Sequence, residues 1–221
     1  MTASGMKRQF IPIFSIITIL TVFSCQKASS LWQTGDLIFV EGMSSGTMDK
    51  AIMESTGTIV HVGMVDVVDG EVFVIDAAPA TGVSRRSLED FIEAQRDANG
   101  TLPTMRWMRL RKAVGTNSFI AKARGLCGLP YDYSFLPDNG RYYCSELVYE
   151  CYVAQGKPLF EAAPMNFQNA DGSYDPYWVD LFERQGMDVP QGLMGTNPES
   201  MSKSKCLKAV KTLKGAFISP P

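Results

Sequence analysis

Two β-rich runs joined by one turn dipeptide form the clearest pattern along this chain. Residues 59–78 read IVHVGMVDVVDGEVFVIDAA, and Asp69-Gly70 stands between the two runs. Asp-Gly suits the positive-φ positions of a two-residue type I′ turn, and the flanking β-branched residues favour strands. The pattern predicts an antiparallel hairpin in which Val68 lies opposite Glu71.

The rest of the chain alternates between short strand patterns and amphipathic helical patterns. Strands are predicted over GDLIFVEG (35–42) and TMRWMRLR (104–111), and helices over GTMDKAIMEST (46–56), SLEDFIEAQRD (87–97), TNSFIAKARGLCG (116–128) and CSELVYECYVAQG (144–156). Ser87 is a candidate helix cap with Asp90 at capping-box spacing. The combination predicts an α+β fold with an antiparallel sheet packed against helices.

The N-terminus has the features of an export signal. Lys7 and Arg8 precede an apolar run over 10–23, which is too short to span a bilayer comfortably, and Ser24-Cys25 follows it. This arrangement predicts a lipoprotein signal peptide over 1–24, with cleavage before Cys25 and lipidation of that residue. A secretory peptide without lipidation and an uncleaved anchor are the alternatives.

A single domain is expected after the signal. We assign 25–34 to a linker and 35–221 to the domain, in which the Pro-, Gly- and Asn-rich stretch 158–200 forms a rim or lid. Its apolar residues either line an acyl pocket or belong to the core and rim; they are Phe160, Met165, Phe167, Trp178, Phe182, Met187 and Met194.

Composition and charge exclude several classes of protein. The chain has 221 residues, is 45% hydrophobic and carries a formal net charge of −2, which becomes −4 when residues 1–24 with Lys7 and Arg8 are removed. This balance, without a basic stripe, gives no indication of a nucleic-acid partner. With one histidine and no CxxC pair, a structural zinc site is not expected. Five lysines between Lys203 and Lys214 indicate a solvated edge or helix face, or contact with anionic lipid.

His61 is the only histidine, so it is the candidate general base. The predicted hairpin places His61 diagonally from Asp76 on the same face of the two strands, within reach of an imidazole–carboxylate bond. An aspartate inside the apolar run VFVIDA is costly without a partner. The alternative is that the strand ends at Ile75 and Asp76 caps the following bend.

Cys144 is the candidate nucleophile. Cysteine is usually a small buried hydrophobe, but Cys144 falls at the first turn of a predicted helix, where the dipole and unpaired N–H groups favour a thiolate. Cys151 and Cys127 lie within apolar helical patterns and are expected in the core, and Cys206 lies in the lysine-rich tail. Cys144 and Cys151 are seven residues apart, too far along one helix for a disulfide.

These segments together resemble a known family. GLPYDYSFLPDNGRYYCSELV (128–148) is similar to the nucleophile segment of NlpC-type papain-like hydrolases, where Pro-Tyr precedes Cys-Ser-x-Leu-Val. HVGMV at 61–65 precedes the cysteine here, an order that resembles the circularly permuted YiiX/YaeF-like papain-like amidases. The resemblance implies a permuted papain-like fold with Cys144 as nucleophile, His61 as base and Asp76 as the third polar residue. It also implies that Tyr131 helps to bind the oxyanion; an ordinary half-buried tyrosine is the alternative.

The function that follows is a cysteine hydrolase, an amidase or peptidase that needs no cofactor and no metal. Its expected substrate is a cell-envelope amide, either a cell-wall peptide or a lipid-linked acyl group, met by an exported protein anchored to the membrane through Cys25. The alternatives are a non-catalytic, lipid-anchored binding protein with the same fold and an acyltransferase.

Overall fold

The structure is a computed structural model that describes Met1 and residues 31–43, 45–112 and 114–214. Apart from Met1, the expected signal peptide 1–24 lies outside the described residues, as do Cys25 and most of the linker. In the part of the chain that is described, no helix combines the length and apolar character needed to cross a membrane.

A six-stranded antiparallel sheet with two short two-stranded ladders and six helices makes up the described chain. In chain order the elements are β1 (Leu37–Glu41), α1 (Thr47–Thr56), β2 (Ile59–Val68), β3 (Glu71–Ala78), β4 (Gly82–Ser87), α2 (Leu88–Glu93), β5 (Met105–Leu110), α3 (Thr116–Gly125), α4 (Cys144–Cys151), β6 (Val153–Ala154), β7 (Lys157–Pro158), β8 (Ala163–Pro164), α5 (Pro176–Glu183), β9 (Met194–Gly195), α6 (Pro198–Ser202) and β10 (Leu207–Leu213). The large sheet has the strand order β10-β5-β1-β2-β3-β4. The predicted α+β class and antiparallel sheet are confirmed.

The predicted hairpin is confirmed as β2 and β3. Asp69 and Gly70 have φ of 51° and 80°, the left-handed values that a type I′ turn needs. Val68 lies opposite Glu71, and the register continues to the pair Met64 and Ile75. Because the turn has two residues, every odd position of β2 near the turn faces an even position of β3.

The sheet is covered on both faces. One face packs against α3 and α4 through buried residues such as Phe39, Met64 and Leu147. The other face packs against α2, where Val74 and Val65 meet Phe91. Strand residues alternate between these two cores because successive side chains point to opposite faces.

Three predicted helices end earlier than expected. The helix predicted over 87–97 ends at Glu93. The helix that begins at Thr116 ends at Gly125, not at 128. The helix that begins at Cys144 ends at Cys151, and Ala154 lies in the short hairpin of β6 and β7. The helical spacing of Ala154 was misleading because Gln155 and Gly156, with φ of 52° and 74°, form a two-residue turn instead.

The stretch 158–200 contributes much of the core. Phe160, Phe167, Trp178 and Phe182 are buried in the cluster that also holds Cys144. Phe167 packs edge-on against Trp178 with ring centroids 5.1 Å apart. Met194, in contrast, is exposed. The segment therefore packs against the sheet-and-helix body rather than only bordering it.

Gly82 is the first residue of β4 and packs against the backbone of the loop that leads to Tyr131. Replacing Gly82 with alanine should destabilise the fold. Gly82 has φ of 64°, and an added Cβ would collide with the carbonyl oxygen of Leu129. Gly172 is a matched control because its φ is 84° and its surroundings are open. We expect Gly172→Ala to cost about 1 kcal/mol and Gly82→Ala about 3 kcal/mol in urea unfolding, since only the second adds a backbone clash. Equal costs would contradict the close approach.

Candidate active site

Cys144 is the first residue of α4 and is largely buried, with 6% of its surface exposed. The helix begins here because Tyr143 is extended and its backbone N–H donates to Glu146 at 3.4 Å. The first N–H groups of a helix have no carbonyl partner within it, so they direct partial positive charge at the thiol. The sulfur thus lies where an anion is stabilised.

His61 and Asp76 are in direct contact. His61 Nε2 lies 2.8 Å from Asp76 Oδ2, and the Asp76 side chain is fully buried. The two residues share the face covered by α2, where the Phe91 ring stacks against the imidazole at a centroid distance of 6.0 Å. Asp76 is paired with Ser84 inside β3, so it does not cap a bend.

Gly63 lies where Val74 and Phe91 pack closely against the sheet. A Cβ at this position would lie 2.5 Å from Val74 Cγ1 and 3.1 Å from the Phe91 ring. The missing side chain therefore lets Phe91 approach the sheet beside His61.

Arg86 is a functional residue that the sequence reasoning missed. Its Nη2 donates to both carboxylate oxygens of Asp76 at 2.8 Å. Arg86 lies on β4 opposite Val74, so it shares the face of Asp76. An arginine in the strand after Asp76 could have been found from the sequence. That inference needs the register of β3 with β4 in addition to the register of the hairpin.

The histidine is held in its protonated form. Burial by itself lowers the pKa of His61, but the charge on Cys144 and the hydrogen bonds to Asp76 and Cys144 raise it to about 10. Since Nε2 bonds Asp76, Nδ1 is the ring nitrogen left for Cys144. Burial alone would raise the pKa of Asp76, yet the hydrogen bond and charge of His61, with Arg86, hold it below its ordinary value. The site therefore holds an imidazolium and a carboxylate beside the Cys144 sulfur.

Tyr131 lies in the same site. It is buried, and burial together with the charge on Cys144 raises its pKa well above the ordinary tyrosine value. The hydroxyl thus keeps its proton and has no hydrogen-bond partner among the described residues. Backbone bonds at Leu129 and between Asp132 and Tyr142 hold the loop that carries it.

The other cysteines have different surroundings. Cys151 is buried in the core as expected, and burial raises its pKa to about 12. Cys127 was expected in the core, but it is exposed because α3 ends two residues before it. The described cysteines Cys127, Cys144, Cys151 and Cys206 are all free thiols.

A cavity of about 330 Å³ opens beside the thiol. His61, Cys144, Tyr131 and Arg86 form part of its wall. Most of the remaining lining residues are apolar, and α1 and the stretch 158–200 contribute several of them, including Met48, Ile52, Met165, Phe167 and Trp178. Phe160 and Phe182 belong to the core only, whereas Met165, Phe167 and Trp178 belong to the same core and also line the cavity.

Thr196 connects the far wall of the cavity to the start of α4. Its backbone N–H donates to the Tyr143 hydroxyl at 3.1 Å, and its hydroxyl donates to Ser145 at 3.0 Å. Tyr143 and Ser145, the residues on either side of Cys144, are therefore held by Thr196, which is about fifty positions away in the sequence. No local sequence pattern indicates this contact.

Comparison with known proteins identifies the family. A family model described as permuted papain-like amidase enzyme, YaeF/YiiX, C92 family, matches residues 32–211. The chain belongs to this family. It is thus a papain-like cysteine hydrolase of the amidase class, as the order of His61 before Cys144 indicated.

Two relatives support the assignment to the C92 family. The uncharacterized protein YiiX of Escherichia coli (strain K12) is 27% identical over 207 residues, which cover 90% of this chain and 93% of that protein. The crystal structure of the metalloprotein yiiX from Escherichia coli O157:H7 has a TM-score of 0.67 at 25% identity, covering 83% of this chain and 98% of that one. In the described part of this C92 chain, no three His, Cys, Asp or Glu side chains are grouped to hold a metal ion.

Proposed function

We propose that this protein hydrolyses an envelope amide through a covalent acyl-enzyme on Cys144. The observation that carries the proposal is the chain of contacts from Cys144 through His61 to Asp76 at the wall of a largely apolar cavity. A nucleophile, a base and an orienting carboxylate in this order are the elements of acyl transfer.

The first half of the reaction forms a thioester. The Cys144 thiolate attacks the carbonyl carbon, and the backbone N–H of Cys144 and the Tyr131 hydroxyl donate to the oxyanion. The His61 imidazolium then gives its proton to the leaving nitrogen as the C–N bond breaks. Asp76 keeps Nε2 engaged, so that Nδ1 faces the reacting atoms throughout.

The second half releases the acid. The neutral His61 takes a proton from water, the hydroxide attacks the thioester carbonyl, and the Cys144 thiolate leaves. His61 returns to the imidazolium, the form that its raised pKa favours. An amine in place of water would give acyl transfer from the same intermediate.

The cavity wall favours a substrate with an apolar acyl group. Met165, Phe167 and Trp178 offer surface that a hydrocarbon chain can cover, and a polar peptide would lose hydrogen bonds to water there. Of the two substrate classes expected from the sequence, a lipid-linked acyl amide is therefore the better match. We further propose that the protein is exported and anchored through Cys25, where such substrates occur.

Trapping the acyl-enzyme tests this function. The full chain is mixed with two amides that share one leaving amine, one with a fatty acyl group and one with a short cell-wall-type peptide, and is quenched in acid for intact-mass analysis. We expect a mass increase equal to the fatty acyl group, located on the Cys144 peptide, with free acid as product. Transfer to added amine would indicate an acyltransferase, a preference for the peptide would reverse the substrate assignment, and no adduct or product would indicate a binding protein.

A further inference from the structure

The N-terminal segment is fixed on one face of the sheet. The Trp32 ring stacks on Trp107 of β5 with centroids 3.8 Å apart. Arg109 of the same strand donates from Nη2 to the Leu31 carbonyl at 2.8 Å. Because alternate residues of a strand share a face, Trp107 and Arg109 both belong to the surface on which Leu31 and Trp32 lie.

The neighbouring edge strand adds cations to that same surface. In the ladder between β10 and β5, Lys208 lies opposite Arg109 and Lys211 lies opposite Trp107. Directly opposite residues of an antiparallel pair project to the same side. Lys208 and Lys211, both exposed, therefore stand beside the N-terminal segment.

The charge of this surface is compensated only at Arg109. Among the described residues, Lys208, Lys211 and the exposed Arg111 make no ion pair, whereas Arg109 is bound to Asp36. We call Arg109, Arg111, Lys208 and Lys211 the basic face. It is positive on a protein whose formal net charge is −2.

A small polar cavity of about 240 Å³ lies within the basic face. Its wall includes three of the four cations, Arg109, Arg111 and Lys208, together with Thr116, whose hydroxyl can donate to an anion. Asp36 is the acid in this wall and is already bonded to Arg109. The lining is suited to a phosphate group.

We propose that the basic face docks on the surface of an anionic phospholipid bilayer, with a headgroup phosphate in this cavity. Cys25, the proposed anchor, is six residues before Leu31, so an extended chain keeps it within about 20 Å of the basic face. Leu31 is an exposed apolar side chain at the same place, 74% accessible, and can enter the interface. Lysines near an anionic membrane each add attraction.

Edge protection alone does not account for this arrangement. Lysine on an edge strand prevents pairing with another sheet. That role needs neither Arg111, which lies beyond the end of β5, nor a cavity shared between two strands and the N-terminal segment. The proposal goes beyond the catalytic function and does not depend on it.

Lysine footprinting tests the proposal. The full chain is incorporated through its own N-terminal segment into vesicles of phosphatidylcholine alone or with phosphatidylglycerol, and lysine acylation is measured by mass spectrometry. We expect acylation of Lys208 and Lys211 to fall about fivefold on the anionic vesicles and to recover at high salt, since the attraction is screened. Lys157, an exposed lysine of β7, is the internal control and should not change.

Each other outcome overturns the proposal or assigns the effect to another cause. Equal acylation on both vesicle types would contradict docking, and equal protection by inorganic phosphate alone would identify a soluble anion as the ligand. The double variant Lys208→Glu/Lys211→Glu should lose the preference for anionic vesicles, while Lys157→Glu keeps it. Cys25→Ala separates the anchor from the docking face, because salt-sensitive protection should persist in a variant that is no longer lipidated.

Discussion

Replacing Cys144 with serine is expected to lower kcat/KM for the amide substrate by roughly 10⁴-fold or more. The hydroxyl is the same shape, but it does not form an anion beside the His61 imidazolium at neutral pH, so the nucleophile is lost while packing is retained. Cys144 is 6% exposed and lines the cavity, and the substitution removes one sulfur without opening a void. Steady-state kinetics on the variant give the measurement.

Alkylation of the native protein by iodoacetamide provides a second measurement, and the fast reaction should be absent from Cys144→Ser. Cys144 should react faster than the other thiols near neutral pH, because only the thiolate is nucleophilic. Burial raises the pKa of Cys151 to about 12, so Cys151→Ser is the matched control and should leave both the activity and the fast alkylation intact. If Cys127 or Cys151 were labelled as fast as Cys144, the nucleophile assignment would be wrong.

Local chemistry explains why the hairpin could be predicted from the sequence. Asp69-Gly70 determines the turn, the turn determines the register, and the register brings His61 to the face of Asp76. The separation of Nε2 and Oδ2, 2.8 Å, is a direct result of that register together with side-chain length. Each step depends on neighbours within twenty residues.

The end of α4 could not be predicted because distant contacts determine it. Tyr152 leaves helical geometry, and its hydroxyl donates to the Gly35 carbonyl at 3.0 Å while its ring packs on Phe119. Neither partner is near in sequence, and the apolar spacing through Ala154 matched a helix equally well. Tertiary packing outweighed local pattern here.

The same reason applies to the residues that surround His61. Phe91 reaches the imidazole only because α2 folds back over the sheet, and Arg86 reaches Asp76 only through the ladder of β3 with β4. Neither contact can be predicted from a motif within one segment of the sequence. The sequence indicated the candidate nucleophile and base, and the fold supplies the groups that contact them.

Arg86 and His61 share one carboxylate, so the role of Asp76 can be separated from that of its anchor. Arg86 binds both Asp76 oxygens, and His61 binds one of them. Arg86→Gln removes the anchor and leaves the negative charge beside His61, whereas Asp76→Asn removes the charge itself. Arg86 is thus a positioning residue, and the pH profile distinguishes the two variants.

Asp76→Asn is expected to reduce kcat/KM by roughly 10²–10⁴-fold and to move the alkaline limb of the pH profile to lower pH. In the native protein the raised pKa of His61 keeps the imidazolium, which protonates the leaving amine, until the pH passes about 10. Because the pKa is raised, the stability that the imidazolium gives the folded protein is complete below the ordinary histidine value near 6.5 and is lost as the pH rises through about 10. The charge and the hydrogen bond of Asp76 are two of the interactions that raise the pKa of His61. Without them the pKa should be lower, so the alkaline limb should move to a pH below 10.

The control for this variant is Arg86→Gln. Its kcat/KM should also decrease, because the carboxylate is less firmly held, but its alkaline limb should stay near pH 10 since the charge of Asp76 remains beside His61. kcat/KM measured from pH 6 to 11 on the native protein and both variants, with thermal unfolding at each pH, separates catalysis from stability. An unchanged limb in Asp76→Asn would show that Cys144 alone holds the proton on His61, and Asp76 would then be a packing residue of β3.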